Sequence, residues 1–486
     1  MVYPRGHVNL SGMNISVINL DTPTLGDRSY IAHDGKSALV VDPQRDIDRV
    51  TAILEREGVT LDTVVETHMH NDYVSGGLVL AREFGAKYIT SAEDPVKFER
   101  TPAKDLEEFQ VGSFGIKALK TPGHTFTHLS YILMDGAGKS QGIFTGGSML
   151  HGSTGRPDLL GPDHAPTLAK HQHETAHRIA SLLEDSASIH PTHGFGSFCA
   201  ATSTSGDSST IADEKRTNPA LVMDVERFIS ETLAGLDAFP AYYKHMGPAN
   251  HAGPGAIDLS ELKRMSTDEI ITALTKGSYV VDLRHRDKWA AAHLPGTLNF
   301  GLDGSFATYF GWIFPYEKEL ILLSDRGEDI ATAQRELVRI GIDRPQGSFV
   351  GEEFGTASSV EKVTFNDVPA ALKDEGIVVL DVRRNGERHA SHIAGTRHIP
   401  FHELQNRANE LPNEKKIWVH CAGAYRAAAA AGMLERAGLT PVLINEPYEK
   451  ALSVAALEIV AGGADAGPVA PSDLKTDSKA NSKAQV

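Results

Sequence analysis

Two cysteines, Cys199 and Cys421, are all that 486 residues provide, which excludes a disulfide framework and points to a reducing compartment. Basic charge is scarce as well. The 47 lysines and arginines stand against 63 aspartates and glutamates, a net charge of −16, and this excludes the basic stripe that a nucleic-acid-binding surface needs. A small anionic substrate would have to be met by a locally positive pocket. No run approaches the roughly 18 consecutive apolar residues of a membrane span, and MVYPRGHVNLSGMN lacks the apolar core of a secretion signal. The expectation is a cytoplasmic protein without a membrane partner. With 41% hydrophobic side chains the length suffices for about three domains, each with its own core.

What the chain does have is histidine at strand ends. THMHNDYVSGG, Thr67 to Gly77, places His68, His70 and Asp72 at alternate positions after TVVET, a short β-branched run that reads as a buried strand. Alternate side chains of an extended chain share a face. Tyr73 follows, where a further ligand could have stood. KALKTPGHTFTHLSYIL reads as strand, Pro-Gly turn with His124, and strand; QGIFTGGSMLHGSTGRPDLL follows, and SIHPTHGFGSF puts His193 just past a short strand. Four such loops are predicted to converge at one edge of a two-sheet core. Asp158 reads as a structural partner, His128, His171, His173 and His177 as surface or packing histidines, and Cys199 as a bystander.

Past GPANHAGPGAIDL, which reads as a linker, strands and helices alternate and the sequence repeats itself. SYVVDLRHRDKWAAAHLPGT matches IVVLDVRRNGERHASHIAGT, pairing Asp282 with Asp381, Arg284 with Arg383, His293 with His392 and Gly296 with Gly395. EKELILLSDRGEDIATAQRELVRIG then matches EKKIWVHCAGAYRAAAAAGMLERAG, setting Ser324 against Cys421 and Asp329 against Arg426. The last stretch, 466–486, is polar and aperiodic and is expected to be a disordered tail.

Cys421 ends the strand IWVH, and CAGAYR runs into a helix expected to begin near Ala427. A thiol at a helix N-terminus feels unpaired N–H groups and the positive end of the dipole, which favour thiolate. The small Ala422, Gly423 and Ala424 let the loop curl around an anion, and Arg426 is expected to supply a fixed positive charge. A buried structural cysteine is the plainer reading, but a scaffold role gives no reason for the other copy to replace sulfur and arginine together.

These residues, with the DVR and HIAGT elements, resemble rhodanese-type sulfurtransferases over about 260–465. The resemblance implies that Cys421 accepts sulfane sulfur as a persulfide, that Ala422, Gly423, Ala424, Tyr425 and Arg426 form the cradle, and that the first copy is catalytically silent. THMHNDY, TPGHT, FTGG and PTHGFGS, in this order, resemble the metallo-β-lactamase fold and, within it, the glyoxalase II and persulfide dioxygenase branch. That resemblance assigns His68, His70 and His124 to one metal, and Asp72, the Tyr73 position and His193 to a second. The carboxylate that bridges the metals of two-metal relatives, and that completes the iron set of persulfide dioxygenases, would stand at Gly147. One metal ion, iron or zinc, is therefore expected, with Asp72 or His151 as substitutes for the missing carboxylate and a metal-free cluster as the alternative. The expected fold is α/β and multidomain: an αββα metallo-β-lactamase sandwich at 1–250, a silent rhodanese-like domain at 260–355 and a second with the active cysteine at 360–465. Three functions stay open: a persulfide dioxygenase-like site coupled to a sulfurtransferase, a zinc-dependent thioester hydrolase, and a sulfur carrier or sensor. The expected partners are a low-molecular-weight thiol or persulfide and thiosulfate or another sulfane-sulfur donor, with a homo-oligomer open.

Overall fold

The computed structural model describes residues 7–9 and 15–462, apart from 203, 205, 353, 354 and 356. The expected tail at 466–486 lies outside them. Two sheets face each other in the N-terminal half. In the first, Ser16–Thr22, Asp27–His33 and Ser37–Val41 are antiparallel and continue into the parallel Thr60–Val65, Lys87–Ser91 and Thr101–Ala103. In the second, Glu108–Val111, Phe114–Lys120, Leu129–Met134 and Ser140–Gly146 form a meander, joined by Ser188–Pro191 and Ser209–Thr210.

Alternation along the strands decides the layering. Val17, Tyr30, Leu39, Val41 and Val65 of one sheet meet Ile116, Ala118, Tyr131, Leu133 and Phe144 of the other in a dry core. The residues between them in sequence, among them Ile18, Ile31, Val40 and Val64, face helices Asp48–Glu57 and Gly77–Phe84 on one outer side. Ile132, Ile143 and Ile189 face Ala165–Leu182 and Val225–Gly235 on the other. Helix, sheet, sheet, helix is the expected sandwich.

Two parallel sheets follow, built from near-continuous apolar runs such as LILLS and IVVLD, as strands covered on both faces require. The first runs Leu298–Asn299, Tyr279–Asp282, Leu320–Ser324, Gly347–Val350, and the second Arg397–His398, Ile377–Asp381, Lys416–His420, Thr440–Ile444, Glu361–Val363. Apart from the last strand the order is the same. The paired residues behave alike too: Arg284 Nη2 reaches Asp282 Oδ2 at 2.6 Å and the Ala292 carbonyl at 2.9 Å, while Arg383 Nη2 reaches Asp381 Oδ2 at 2.7 Å and the Ser391 carbonyl at 2.8 Å. Gly296 and Gly395 both adopt the left-handed turn, at φ 84° and 79°.

The linker expected at GPANHAGPG is helical in its first part, since Tyr243–Ala252 is one helix with Pro248 inside it. Tertiary contact overrides the composition: the Asn250 side chain donates to the His70 and Tyr73 carbonyls and accepts from Ser75 N–H. The largest apolar cluster runs through all three parts of the chain, from Tyr73 and Tyr242 through Phe306 and Phe310 to Val419 and Cys421. Buried Asp46 takes Arg339 at 2.7 Å across the junction. Among the described residues no helix is long and apolar enough to cross a membrane.

Candidate metal centre and cysteine cradle

The four loops do converge. His68 follows Thr60–Val65, His124 lies between Phe114–Lys120 and Leu129–Met134, Gly147 follows Ser140–Gly146, and His193 follows Ser188–Pro191. Ligand atoms of His68, His124 and His193 come within 4.8 Å of one another, all buried.

Each of these three rings is fixed through Nδ1. His124 Nδ1 donates to the Arg156 carbonyl at 2.9 Å, and a carbonyl can only accept, so Nε2 carries the bare lone pair. His68 Nδ1 lies 2.9 Å from Thr67 Oγ1, whose own hydrogen goes to Asp42 Oδ2 at 2.7 Å. His193 Nδ1 lies 2.9 Å from Asp27 and 3.1 Å from Asp72. A hydrogen-bond partner behind every ring is the arrangement that orients imidazoles toward a metal. His124 Nε2 has no partner, and the His193 and His68 Nε2 atoms stand 3.3 Å apart.

The electrostatics agree. Burial, and then the neighbouring imidazoles, hold His68 well below its ordinary range, and burial takes His124 down to about 3. Burial also lowers His193, but the Asp72 charge and the bonds to Asp27 and Asp72 overcome it and raise the ring to about 10. A proton on His193 Nε2, aimed at the His68 ring nitrogen, thus stands where a cation fits. The donor set suits one metal ion.

His70 departs from expectation. The chain bends at 67–68 and again at 71–73, so the extended spacing is lost, and His70 Nε2 meets Tyr73 Oη at 3.0 Å, Glu66 Oε2 at 3.2 Å and Asp42 Oδ1 at 3.3 Å. Burial lowers this ring, yet Asp42 and Glu66 raise it to about 9. His193, assigned by resemblance to the second metal, takes the place beside His68 and His124 that His70 was expected to fill. Asp72 lies 3.1 Å from His193 Nδ1, its Oδ1 has no partner, and with His70 and His193 it forms a second buried group whose ligand atoms lie within 4.8 Å of one another. His151 is not a substitute for the lost carboxylate: its nitrogens lie near the Gly206 and Ile189 carbonyls, at 3.4 and 3.3 Å.

Gly147 explains the missing bridge. A Cβ there would lie 2.4 Å from His124 Cδ2, and one at Gly155 would lie 2.7 Å from His124 Nδ1. An aspartate at 147 and His124 in this position exclude each other.

Sequence reasoning missed several residues. Of the two readings given for His128, surface or packing, the structure shows packing, and at the centre itself: it is fully buried, stacks on His68 at 4.9 Å, and accepts from Gly147 N–H at 3.0 Å. Asp27, Asp42, Glu66 and Asn250 belong to the same assembly, and none of them sits in a histidine motif. Asp158 is the structural partner expected, bidentate with Arg156, and Cys199 is fully buried with Tyr243 Oη 3.7 Å away.

At the other site Cys421 follows Lys416–His420, and the helix Tyr425–Arg436 begins two residues earlier than expected. Ala424 holds the left-handed conformation at φ 66°, and the first N–H groups of the helix have no intrahelical acceptor. Gly423 is exposed, and the Ala422 carbonyl accepts from Tyr448 N–H. The Tyr425 side chain is committed elsewhere, donating to the Gly301 carbonyl and packing on Gly304, so only its backbone belongs to the cradle. Arg426 does not offer a free charge: Glu387 holds both terminal nitrogens at 2.7 Å. In the other copy Ser324 donates to Asp329, which Arg326 neutralises, and the loop closes on itself.

Comparison with known proteins matches this division. Residues 26–199 match the metallo-beta-lactamase superfamily model, and residues 364–446 match the rhodanese-like domain model. Hydroxyacylglutathione hydrolase of Brucella anthropi is 35% identical over 130 residues, 26% of this chain and 48% of that protein. The chain spans about half the length of the curated relatives it matches. A metallo-beta-lactamase structure from Staphylococcus aureus subsp. aureus COL aligns with a TM-score of 0.62 and 26% identity over 69% of this chain and 99% of that one. ETHE1 from Myxococcus xanthus aligns with a TM-score of 0.42 and 25% identity over 48% of this chain and 97% of its own. The chain joins a metallo-β-lactamase superfamily domain to a C-terminal rhodanese-like domain.

Proposed function

We propose that the protein is a two-site sulfur enzyme: Cys421 accepts sulfane sulfur as a persulfide, and His68, His124 and His193 hold one metal ion, iron or zinc, at a site that acts on a thiol-linked substrate. The observation that carries the metal half is the set of three histidines, each tied through Nδ1, with their Nε2 atoms converging. A bound iron would supply redox chemistry with dioxygen toward a persulfide, and a bound zinc would supply Lewis acidity toward a thioester carbonyl. The protein's part is to fix the three rings and keep the site dry, since His68, His124, His128 and His193 are fully buried or nearly so.

The first reading is a persulfide dioxygenase-like site, supported by its fusion to a cysteine that carries the same kind of sulfur. Thioester hydrolysis is the second, favoured by the match to hydroxyacylglutathione hydrolases and by the all-histidine set, which suits zinc. The middle repeat is catalytically silent, because Ser324 cannot carry a persulfide and Asp329 faces it. The sulfur half is tested by incubating the protein with thiosulfate and weighing it intact: one added sulfur atom is expected, absent in Cys421→Ser. Oxygen uptake with a low-molecular-weight persulfide, lost in His124→Ala, supports the dioxygenase; hydrolysis of an acylglutathione without oxygen uptake moves the assignment to the hydrolase. Neither activity in metal-loaded protein would contradict both.

A further inference from the structure

We propose that Arg384 receives the anionic end of the sulfur donor, at a ring of side chains that all three domains contribute and that includes Arg426 of the Cys421 loop. This rests on the reading of Cys421 as a sulfur acceptor. It answers a need visible in the composition, since a chain of net charge −16 must meet an anion with a local positive charge.

The other arginines near the cradle are already committed. Arg426 is 6% exposed and bidentate with Glu387. Arg383 is held by Asp381 and lies 3.7 Å over the Tyr448 ring. Arg388 reaches Asp381 and Thr396. Arg384 differs. Only its Nε reaches a carboxylate, Glu387 Oε2 at 3.3 Å, and its side chain is 32% exposed. Its terminal nitrogens have no hydrogen-bond acceptor among the described residues.

Its placement is a joint construction. Arg384 Cζ lies 5.1 Å from the ring of Phe198, on the N-terminal loop that begins with His193. Phe198 meets Tyr309 of the middle repeat edge-on at 6.3 Å, and Tyr309 faces Arg426 Cζ at 5.6 Å. Phe198, Arg384, Glu387, Arg426 and Tyr309 therefore close a ring of contacts drawn from three domains. It holds two guanidiniums and one carboxylate, which leaves one positive charge, on the arginine whose edge is free. Arg426 ends the CAGAYR loop that Cys421 begins, so the ring borders the thiol's own loop. The silent repeat has His285 in the place of Arg384, facing Asp287 at 3.3 Å and Asp303 at 3.4 Å, and offers no such site.

A guanidinium stacked on an aromatic face keeps its in-plane N–H groups for a planar or tripodal oxyanion. With thiosulfate, the Cys421 thiolate attacks the outer sulfur, the sulfur–sulfur bond breaks, and sulfite leaves with the electron pair. Arg384 would bind the sulfonate oxygens in the donor and stabilise the departing sulfite. One loop carries both His193 and Phe198 and so joins the metal site to this ring.

The test compares wild type, Arg384→Gln, Arg384→Lys, Phe198→Ala and, as a charge control in the same domain, Arg407→Gln, whose partners are Glu403 and Glu410. KM for thiosulfate should rise roughly tenfold in Arg384→Gln, as loss of a charge-assisted contact implies, with most of the effect recovered in Arg384→Lys. Phe198→Ala should raise it about threefold by loosening the brace. An independent readout is the rate of Cys421 alkylation by iodoacetate relative to iodoacetamide, an anionic and a neutral reagent of similar size; the ratio should fall severalfold in Arg384→Gln and hold in Arg407→Gln. A KM and an alkylation ratio both within about twofold of wild type in Arg384→Gln would overturn the inference, since a charge-assisted contact is worth more than that. A fallen ratio in a protein whose Cys421 takes no sulfur from thiosulfate would keep the anion site and overturn the sulfur-transfer reading instead.

Discussion

The two parallel-sheet domains share a scaffold and differ at one loop. Asp282–Arg284 and Asp381–Arg383 make the same bonds within 0.1 Å at their Nη2 contacts, yet the strand ends carry Ser324 in one copy and Cys421 in the other. In the first, Ser324, Arg326 and Asp329 satisfy one another. In the second, Arg426 is paired with Glu387 outside the loop, and the buried Cys421 has no carboxylate at the position of Asp329. Even the glycine is displaced: Gly327 lies outside the left-handed region, while its counterpart Ala424 occupies it at φ 66°. The left-handed alanine stands in the copy that carries the cysteine. The two copies share a scaffold and differ in the chemistry their loops can offer.

The largest effect should come from moving the sulfur. Ser324→Cys in a Cys421→Ser background should take up no sulfur from thiosulfate by intact mass, because Asp329 and Arg326 are paired with each other and fill the loop that would have to receive the persulfide; loading of the transplanted thiol would erase the distinction between the loops. Next, Asp381→Asn and Asp282→Asn should each cost about 3–5 kcal/mol in urea unfolding, the usual result of breaking a buried ion pair. A large difference between them would show that the scaffold is less repeated than its bonds suggest.

Acid should separate the copies more gently. Glu387 is moved by burial upward, but the bonds and charge of Arg426 prevail and take it from 4.5 to about 2. A depressed carboxyl contributes stability above its unfolded pKa and loses it as pH falls through the folded one. Wild type should therefore lose on the order of 2 kcal/mol between about pH 4.5 and 2 through this group, and Glu387→Gln should flatten that limb when unfolding midpoints are followed against pH. Smallest of all, Ala424→Gly should stabilise the protein by about 1 kcal/mol by relieving the left-handed alanine, whereas Gly327→Ala in the silent copy should gain no such relief.

Much of this was legible because it is local. Strands ending at Val65, Lys120, Gly146 and Pro191 followed from β-branched runs and Pro-Gly turns, and the repeat aligned without a gap from Glu317 and Glu414 onward. What escaped is set by distant partners. His70 swings to Asp42 and Glu66, and Asp27 backs His193 from 166 residues away. No spacing rule connects these. Tyr425 sits in a cradle motif but answers to Gly301, and the GPANHA segment is drawn into a helix because Asn250 pins the histidine loop. Local pattern named the loops; three-dimensional partners chose which nitrogen of each histidine faces inward.

That choice is the centre of the functional reading, and metal analysis tests it most directly. The protein would be purified without chelator beside His193→Ala and His70→Gln, each checked for folding by circular dichroism. About one equivalent of iron or zinc per chain, lost in His193→Ala and retained in His70→Gln, is the expected result for a site on His68, His124 and His193. Two equivalents, or metal that survives loss of His193 and disappears with His70, would contradict it.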